Sequence, residues 1–552
     1  MNQNQASTSS PASRSTSRKA DDGWKEIIET VESVIIAFVL AFVFRAYVVE
    51  AFVIPTGSMA PTLLGRHLDV TCDQCGYDFT CDHPGSDDVQ KAITSKVYVT
   101  CPMCHNLMQL PAGTPIRAGD RILVYKFLYS VDSPRRWDVV VFKTPSVPKT
   151  NYIKRLAGLP NEELFIVEGN VYVRPLDEDE SAWHIARKSD REAVQRAVWQ
   201  PMYDSRYIPA DGGKVTATRP ATNVWSRPWE PFDDARWSFD DRRFYRYTGA
   251  AGDRGISEGK LTFDYEGRWL QPFVGLFAYN QLKRENMPPD EPVEDVRLAA
   301  SIMAEQPTLS VTLSTSARWR DERARWADGR RPVTLAAHVD QTGAVTMTAA
   351  YRGESIVLAT AADVLPDGAF PTDRTVRLEL WCVDQSLSLW VDGNRVLEAT
   401  FEMPLDDLLH RQPSPAEFPD TAISLSGSPA RLYDVAVDRD IIYATTRSAA
   451  HTLGVFQKNL PPQFQGQPVT IGPDRFYVLG DNSPLSHDGR YWTQVDPWVR
   501  EKMFKEGERA MGLVPEELMM GRAFFVYFPA PLPVKKGGAG VIPHFGRMRP
   551  IH

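Results

Sequence analysis

Ser58 lies in a turn written Pro55-Thr56-Gly57-Ser58-Met59, just past a long apolar run. A serine hydroxyl is a weak nucleophile until a base takes its proton. No nearby histidine completes a Ser/His/Asp arrangement, so the base is sought elsewhere. Lys154 lies in NYIKRLAGLP (residues 151–160), a charged residue set into a strand-like apolar run. A lysine acts as a base only when neutral, which requires burial or a cationic neighbour. Gly480–Trp492 (GDNSPLSHDGRYW) gathers Asp481, Asn482, Ser486, Asp488 and Arg490 in one polar loop, dense enough to buttress a site. Taken singly, each segment has a plainer reading: a turn serine, an outward strand lysine, and a capped loop with an Asp/Arg ion pair.

Five of the six cysteines fall within residues 72–104, and Cys382 stands alone in a strand-like run. Cys72-x2-Cys75 and Cys101-x2-Cys104 have the spacing of a four-thiolate zinc ribbon, with two disulfides as the alternative. Cys81, His83 and His105 are spare ligands that could exchange with one of the four. Four protein ligands leave no open coordination position, so the metal is expected to be structural, and no catalytic cofactor is expected.

The elements that must position these residues read as follows. Residues 1–30 form a cytoplasmic disordered tail, with Arg14, Arg18, Lys19 and Lys25 on the inner side of a membrane anchor at 31–50. The uninterrupted apolar core Val34–Phe44 is short for a span, but Arg45 can snorkel and Tyr47 suits the headgroup zone. A cleaved signal, a buried core helix and an interfacial helix compete with the anchor; the lack of an Ala-x-Ala site counts against cleavage. From Gly119 onward short strands dominate: RILVYKFL, DVVVF, and a hairpin turning at Glu168-Gly169-Asn170. Farther on, Val376–Val383, Ser386–Val391 and Arg395–Phe401, with an Asp392-Gly393 turn, and the closing strand Arg431–Val437 suggest a β-sandwich. Val376, Leu378, Leu380 and Cys382 share one face. The fold class expected is mainly β: an antiparallel catalytic core at 51–66, 114–170 and 446–535, interrupted by a ribbon at 67–113 and a sandwich-bearing block at 171–445. Residues 536–552 are expected to form a C-terminal tail.

Four segments, in order, resemble the signal peptidase I family of serine/lysine leader peptidases. Its nucleophile box appears as PTGSMAPTL (55–63) and its Gly-Asp-x-x-x-Val-x-Lys box as GDRILVYK (119–126). Its base box appears as YIKRLAGLP (152–160), and its closing Gly-Asp-Asn-x-x-x-Ser-x-Asp-x-Arg box occupies 480–490. The resemblance covers about residues 30–66, 114–170 and 465–530. It implies that Ser58 is the nucleophile and Lys154 the general base, with Ser486 bonding the lysine amine. It also implies an oxyanion hole from the Ser58 N–H and the Thr56 hydroxyl, with Asp481, Asp488 and Arg490 fixing the loop. Met59 is either core or a membrane and substrate contact. Ser483, Gly489 and Trp137 depart from residues common in the family, where Arg, Ser and Gly often stand. The implied partners are signal peptides of exported preproteins, the lipid bilayer and the export machinery. The implied location is the cytoplasmic membrane, single-pass, with the catalytic domain outside.

A second, looser resemblance, carried by LELWCVDQSLSLWVDGNRV (378–396), is to laminin-G or concanavalin-like domains. Trp225, Trp229 and Trp237 could stack on sugars there, though core packing is the commoner use of tryptophan. The 552-residue chain carries a net charge of −8, against the basic footprint of nucleic-acid binders. The alternative reading is an inactive, membrane-tethered module that binds glycan or protein.

Overall fold

The computed structural model describes residues 16–82, 91–209, 227–231, 236–240, 244–249, 258–264, 293–319, 331–365, 368–403, 405–409, 419–443, 467–529, 532–533, 540–542 and 544–552. His83, Trp225 and the segment 444–466 lie outside them, as do residues 1–15 of the expected tail.

Helix α1 spans Thr16–Val43 and passes through a π turn, Phe44–Val48, into strand β1, Val49–Val53. Two expectations change here. The tail is helical from Thr16, because Ile27, Ile28 and Val31 extend the apolar run backward among good helix formers such as Lys25, Glu26 and Glu29. The expected span stops at Val43, because Val49 already pairs with Tyr125 in a sheet. With Glu26, Glu29 and Glu32 interrupting the apolar residues of α1, no helix among the described residues is long and apolar enough to cross a membrane.

The ribbon segment follows as two hairpins, β2 (His67–Thr71) with β3 (Asp78–Asp82) and β4 (Val97–Thr100) with β5 (Leu107–Leu110). The chain then builds β6 (Arg121–Tyr125), β7 (Val139–Lys143) and β8 (Asn151–Gly158). These join β1 in an antiparallel core sheet, ordered β1, β6, Met519–Phe528, β7, β8, Arg475–Leu479 and Leu513–Pro515. Arg549–Pro550 also pairs with Met519–Phe528, and Arg155 donates to the carbonyl of His552 at 2.9 Å. The expected C-terminal tail therefore includes a strand of the core and a hydrogen bond to β8.

β9 (Glu162–Val167) and β10 (Asn170–Pro175) form the hairpin expected from the sequence. They combine with β11 (His184–Ile185) and Val469–Ile471 in a four-stranded sheet. The boundary expected at 171 thus falls inside a hairpin, and the insert begins after β11.

Beyond helix α2 (Glu192–Val198) the insert is two antiparallel sheets enclosing one apolar core. Val376–Val383 and Ser386–Val391 form as expected, with Asp392 and Gly393 in the left-handed region at the turn from the second of them into Asn394–Thr400. Both faces of Val376–Val383 are buried, not one. Trp199, Trp381 and Trp390 pack over its second face, and Arg196 from α2 pairs there with Glu379. Trp229 and Trp237 are core residues.

A buried polar cluster sits at the root of the sandwich. Lys188 Nζ lies 2.7 Å from Asp384 Oδ1 and 2.9 Å from Asp440 Oδ2, with Asp295 alongside. Burial would depress the Lys188 amine, but the charges of Asp384 and Asp440 hold it above its ordinary range. Burial and those same two carboxylates raise Asp295 well above the usual carboxylate range. Removing the cation strands buried charge, so Lys188→Met should cost about 3–5 kcal/mol in urea denaturation. Asp295→Asn, which removes a repelled carboxyl, should shift the midpoint far less.

Candidate active site

The nucleophile turn is pinned from three directions. Gly57–Met59 is a single 3₁₀ turn preceded by Thr56 in extended conformation. Asp120, from the Gly-Asp pair before β6, accepts the Leu64 N–H at 3.0 Å and the Arg549 guanidinium at 3.3 Å. Met59 is fully buried with Ile54 and Leu63, which settles it as core. Asn482 clamps the turn from the opposite loop, donating its side-chain amide to Gly57 O at 3.0 Å and its backbone N–H to Ser58 O at 3.1 Å.

Lys154 is the fourth residue of β8, opposite Val140 of β7, and only 3% exposed. The outward strand lysine is therefore excluded. Its Nζ lies 2.6 Å from Ser58 Oγ and donates to Ile153 O at 3.0 Å. Burial pulls the amine down from 10.5 to about 8, with Arg490 adding to the fall and the Asp488 and Asp481 charges opposing it. Such a pair can move a proton from hydroxyl to amine once the amine is neutral.

Both nearby carboxylates are occupied by arginines. Arg155, on the other face of β8, bonds Asp481 in a two-pronged pair, 2.7 Å on each prong, and Thr62 donates to the same carboxylate at 2.5 Å. Arg490 bonds Asp488 through Nε at 2.9 Å and Nη2 at 2.8 Å, and the Gly480 N–H donates to that carboxylate at 2.8 Å. Burial alone would raise Asp488, but the Arg490 charge and these hydrogen bonds hold it below the ordinary carboxylate range.

Ser486 is buried in the site, yet among the described residues its Oγ has no hydrogen-bond partner, Lys154 included. The amine's second bond goes to Ile153 O instead, which differs from the role implied for Ser486. Ser486 packs over Gly480, where a Cβ would lie 2.0 Å from its Oγ. Thr56 is exposed and lines the mouth of a cleft of about 520 Å³. Ser58, Lys154, Asn482, Leu485 and His487 also line it, as do Arg66 just before the ribbon segment and Asp82 within it. Burial holds His487 below its ordinary range, so it is neutral near pH 7.

The family model for "Signal peptidase, peptidase S26" matches residues 112–215 and 423–528. Signal peptidase I of Pseudomonas aeruginosa is 38% identical over 81 residues, 12% of this chain and 28% of that one. The Rickettsia bellii enzyme is 25% identical over 143 residues, 26% of this chain and 38% of that one. Over those two stretches the chain is similar to the signal peptidase I family. "Probable signal peptidase I-2" of Synechocystis is 26% identical over 177 residues, 30% of this chain and 56% of that relative. The chain thus spans between about a quarter and two-fifths of the first curated relatives it matches. Among solved structures, the carbohydrate-binding module CBM66 from Bacillus subtilis covers 38% of this chain and 95% of its own, at 10% identity and a TM-score of 0.22. A likeness that faint carries no functional argument.

The three departures from the family's boxes have local reasons. Ser483 accepts Arg490 Nη1 at 2.8 Å on its hydroxyl and Nη2 at 2.9 Å on its carbonyl, extending the ion pair. Gly489 faces the backbone of Gly512, where a Cβ would come within 2.9 Å of the carbonyl oxygen. Trp137 takes a left-handed backbone, φ 71°, natural for glycine and costly by about 1 kcal/mol for other residues. Its Nε1 donates to Arg187 O at 3.0 Å and its carbonyl accepts Arg155 Nη1 at 2.7 Å, so one tryptophan joins the insert to the charge network. Sequence reasoning gives no role at the site to Arg155, Thr62 or Trp137, and no specific contact to Asn482. For Arg155 a signal exists, since strand alternation places it opposite Lys154 and toward the closing loop.

A folded-state value below the unfolded one means that the charged amine penalises the fold. The penalty is full below about 8, shrinks as pH rises toward 10.5, and vanishes above it. Lys154→Met should therefore gain stability at pH 6, up to about 3 kcal/mol, and little at pH 10.5. Denaturation midpoints at the two pH values check this.

Proposed function

We propose that the chain is a membrane-bound serine endopeptidase that removes signal peptides from exported preproteins with a Ser58/Lys154 dyad. The 2.6 Å approach of Lys154 Nζ to Ser58 Oγ, inside a cleft of about 520 Å³, carries this reading. Neutral Lys154 takes the hydroxyl proton as Ser58 attacks the scissile carbonyl, then returns it to the leaving amine. In the second half it takes a proton from water, which hydrolyses the acyl-enzyme. The Ser58 N–H and Thr56 hydroxyl are the oxyanion donors in this scheme. Asp481, Asp488 and Arg490 keep the closing loop against the nucleophile turn, and Ser486 fills the space beside Gly480. No catalytic cofactor is needed.

The membrane part of the proposal rests on α1. Ile35, Ile36, Phe38, Val39, Leu40 and Phe42 are all at least half exposed, and every residue from Glu26 to Val43 is exposed, Ala37 and Ala41 on the remaining face included. A helix apolar all round is stable only when covered. Lipid is the covering that fits, with Glu26, Glu29 and Glu32 toward the headgroups, and exposed Tyr47, Val53 and Phe127 continuing the apolar surface onto the catalytic unit. In this arrangement the basic N-terminal side is cytoplasmic and the cleft lies on the exported side, within reach of the export machinery.

Ser58→Ala and Lys154→Arg should each reduce cleavage of a model preprotein in detergent to a few per cent or less, since guanidinium stays charged and cannot accept a proton. For the wild type, kcat/KM should rise about tenfold per pH unit below about 8 and level off above it. Near-normal cleavage by Lys154→Arg would exclude the lysine base.

A further inference from the structure

The four ribbon cysteines converge. The Sγ atoms of Cys72, Cys75, Cys101 and Cys104 all lie within 4.8 Å of one another. Cys72 and Cys104 are 3.5 Å apart and Cys75 and Cys101 3.7 Å apart, far beyond a disulfide of about 2.05 Å. A zinc tetrahedron with bonds of about 2.3 Å needs sulfurs about 3.8 Å apart. The two knuckles repeat one backbone pattern. Gly76 N–H donates to Cys72 O and His105 N–H to Cys101 O, both at 3.0 Å, with Gly76 at φ 74° and His105 at φ 60°. The Cys72 N–H is met by Tyr77 O and the Cys101 N–H by Asn106 O, each at 2.9 Å. Asn106 Nδ2 then donates to Asp73 Oδ1 at 2.7 Å, linking one knuckle to the other. Cys81 and His105 stay outside the cluster.

The same segment borders the cleft. At its root, Gly65 sits so close to the nucleophile turn that a Cβ would fall 2.2 Å from the Thr56 carbonyl carbon. Asp69 in β2 is held by Arg117 at 3.1 Å and by Arg547 at 3.3 Å, fixing the hairpin to the core. On its far side, Tyr77 packs edge-on against Tyr207 of the sandwich, with ring centres 4.7 Å apart. Asp82, paired with His67 at the end of β3, lines the cleft that holds Ser58 and Lys154.

We propose that Cys72, Cys75, Cys101 and Cys104 hold one zinc ion as four thiolates, and that the ribbon so closed forms the wall of the peptide cleft at Asp82. The wall rests on the peptidase reading; the metal does not. Zinc closes both knuckles at once and so fixes the hairpin that carries Asp82.

Purified full-length chain should contain one zinc per chain. After exchange into cobalt(II) it should show the visible bands of a tetrahedral thiolate site, and Cys101→Ser with Cys104→Ser should abolish both. Zinc-free protein, or two disulfides found by mass spectrometry after alkylation, would overturn the metal. If the double variant does not fold, the wild-type zinc and cobalt readings decide alone. The wall is tested with one model signal peptide and bulk added to the cleft lining. Asp82→Trp should raise KM for that peptide about tenfold, with kcat within twofold and zinc unchanged. An unchanged KM would overturn the wall. If zinc-loaded wild type cleaves no signal peptide, the peptidase reading fails and the wall with it, while the metal stands on the zinc and cobalt readings.

Discussion

Lys154 has two carboxylates within electrostatic reach, and each is already held by an arginine. Asp481 is spent on Arg155 and Asp488 on Arg490, all four groups fully out of water. A buried ammonium beside a free carboxylate would form an ion pair, keep its proton and be useless as a base. Here burial lowers the amine to about 8, the paired carboxylates raise it only in part, and Arg490 pushes the other way. Everything else in the site serves this balance. β8 lies between β7 and Arg475–Leu479 in the core sheet, and the Lys154 side chain is almost wholly buried there. The closing loop supplies Asp481, Asp488 and Arg490 in one stretch and grips the nucleophile turn through Asn482.

The same network reaches beyond the catalytic unit. Arg155 donates to the carbonyl of Trp137, and the Trp137 indole donates to Arg187 at the start of the insert. Lys188 follows, its amine 5.6 Å from the Trp137 ring centre and bound among Asp384 and Asp440 at the root of the sandwich. The insert is thus seated on the core by buried polar contacts rather than hung from a loose loop. A left-handed tryptophan is tolerated because its backbone and indole are both engaged.

The candidate site is legible in sequence because each of its groups lies inside a short, ordered segment. Ser58, Lys154 and the 480–490 loop can be grouped from their motifs alone, and the two Cys-x2-Cys knuckles need only their spacing. Strand existence is also readable where alternation is clean, as at Val376–Val383 and in the hairpin about Gly169. Features set by tertiary contact are not. The second buried face of Val376–Val383 depends on α2 and Trp199 covering it, which no local pattern announces. The return of Arg549–Pro550 to the core sheet rests on one short pairing with Met519–Phe528. The end of α1 at Val43 follows from β1 joining β6, since an apolar run reads alike as helix or strand until a partner appears. The bond implied for Ser486 is one that its packing over Gly480 does not provide.

Burial leaves Lys154 neutral within reach of physiological pH, and a direct titration of that amine tests this central claim. The protein would carry lysine labelled with carbon-13 at Cε, in the Ser58→Ala background to prevent turnover. The Lys154 signal would be assigned by its loss in Lys154→Met. A midpoint near 8 is expected, well below the other lysines. A midpoint at or above the ordinary lysine value of about 10.4 would contradict the claim.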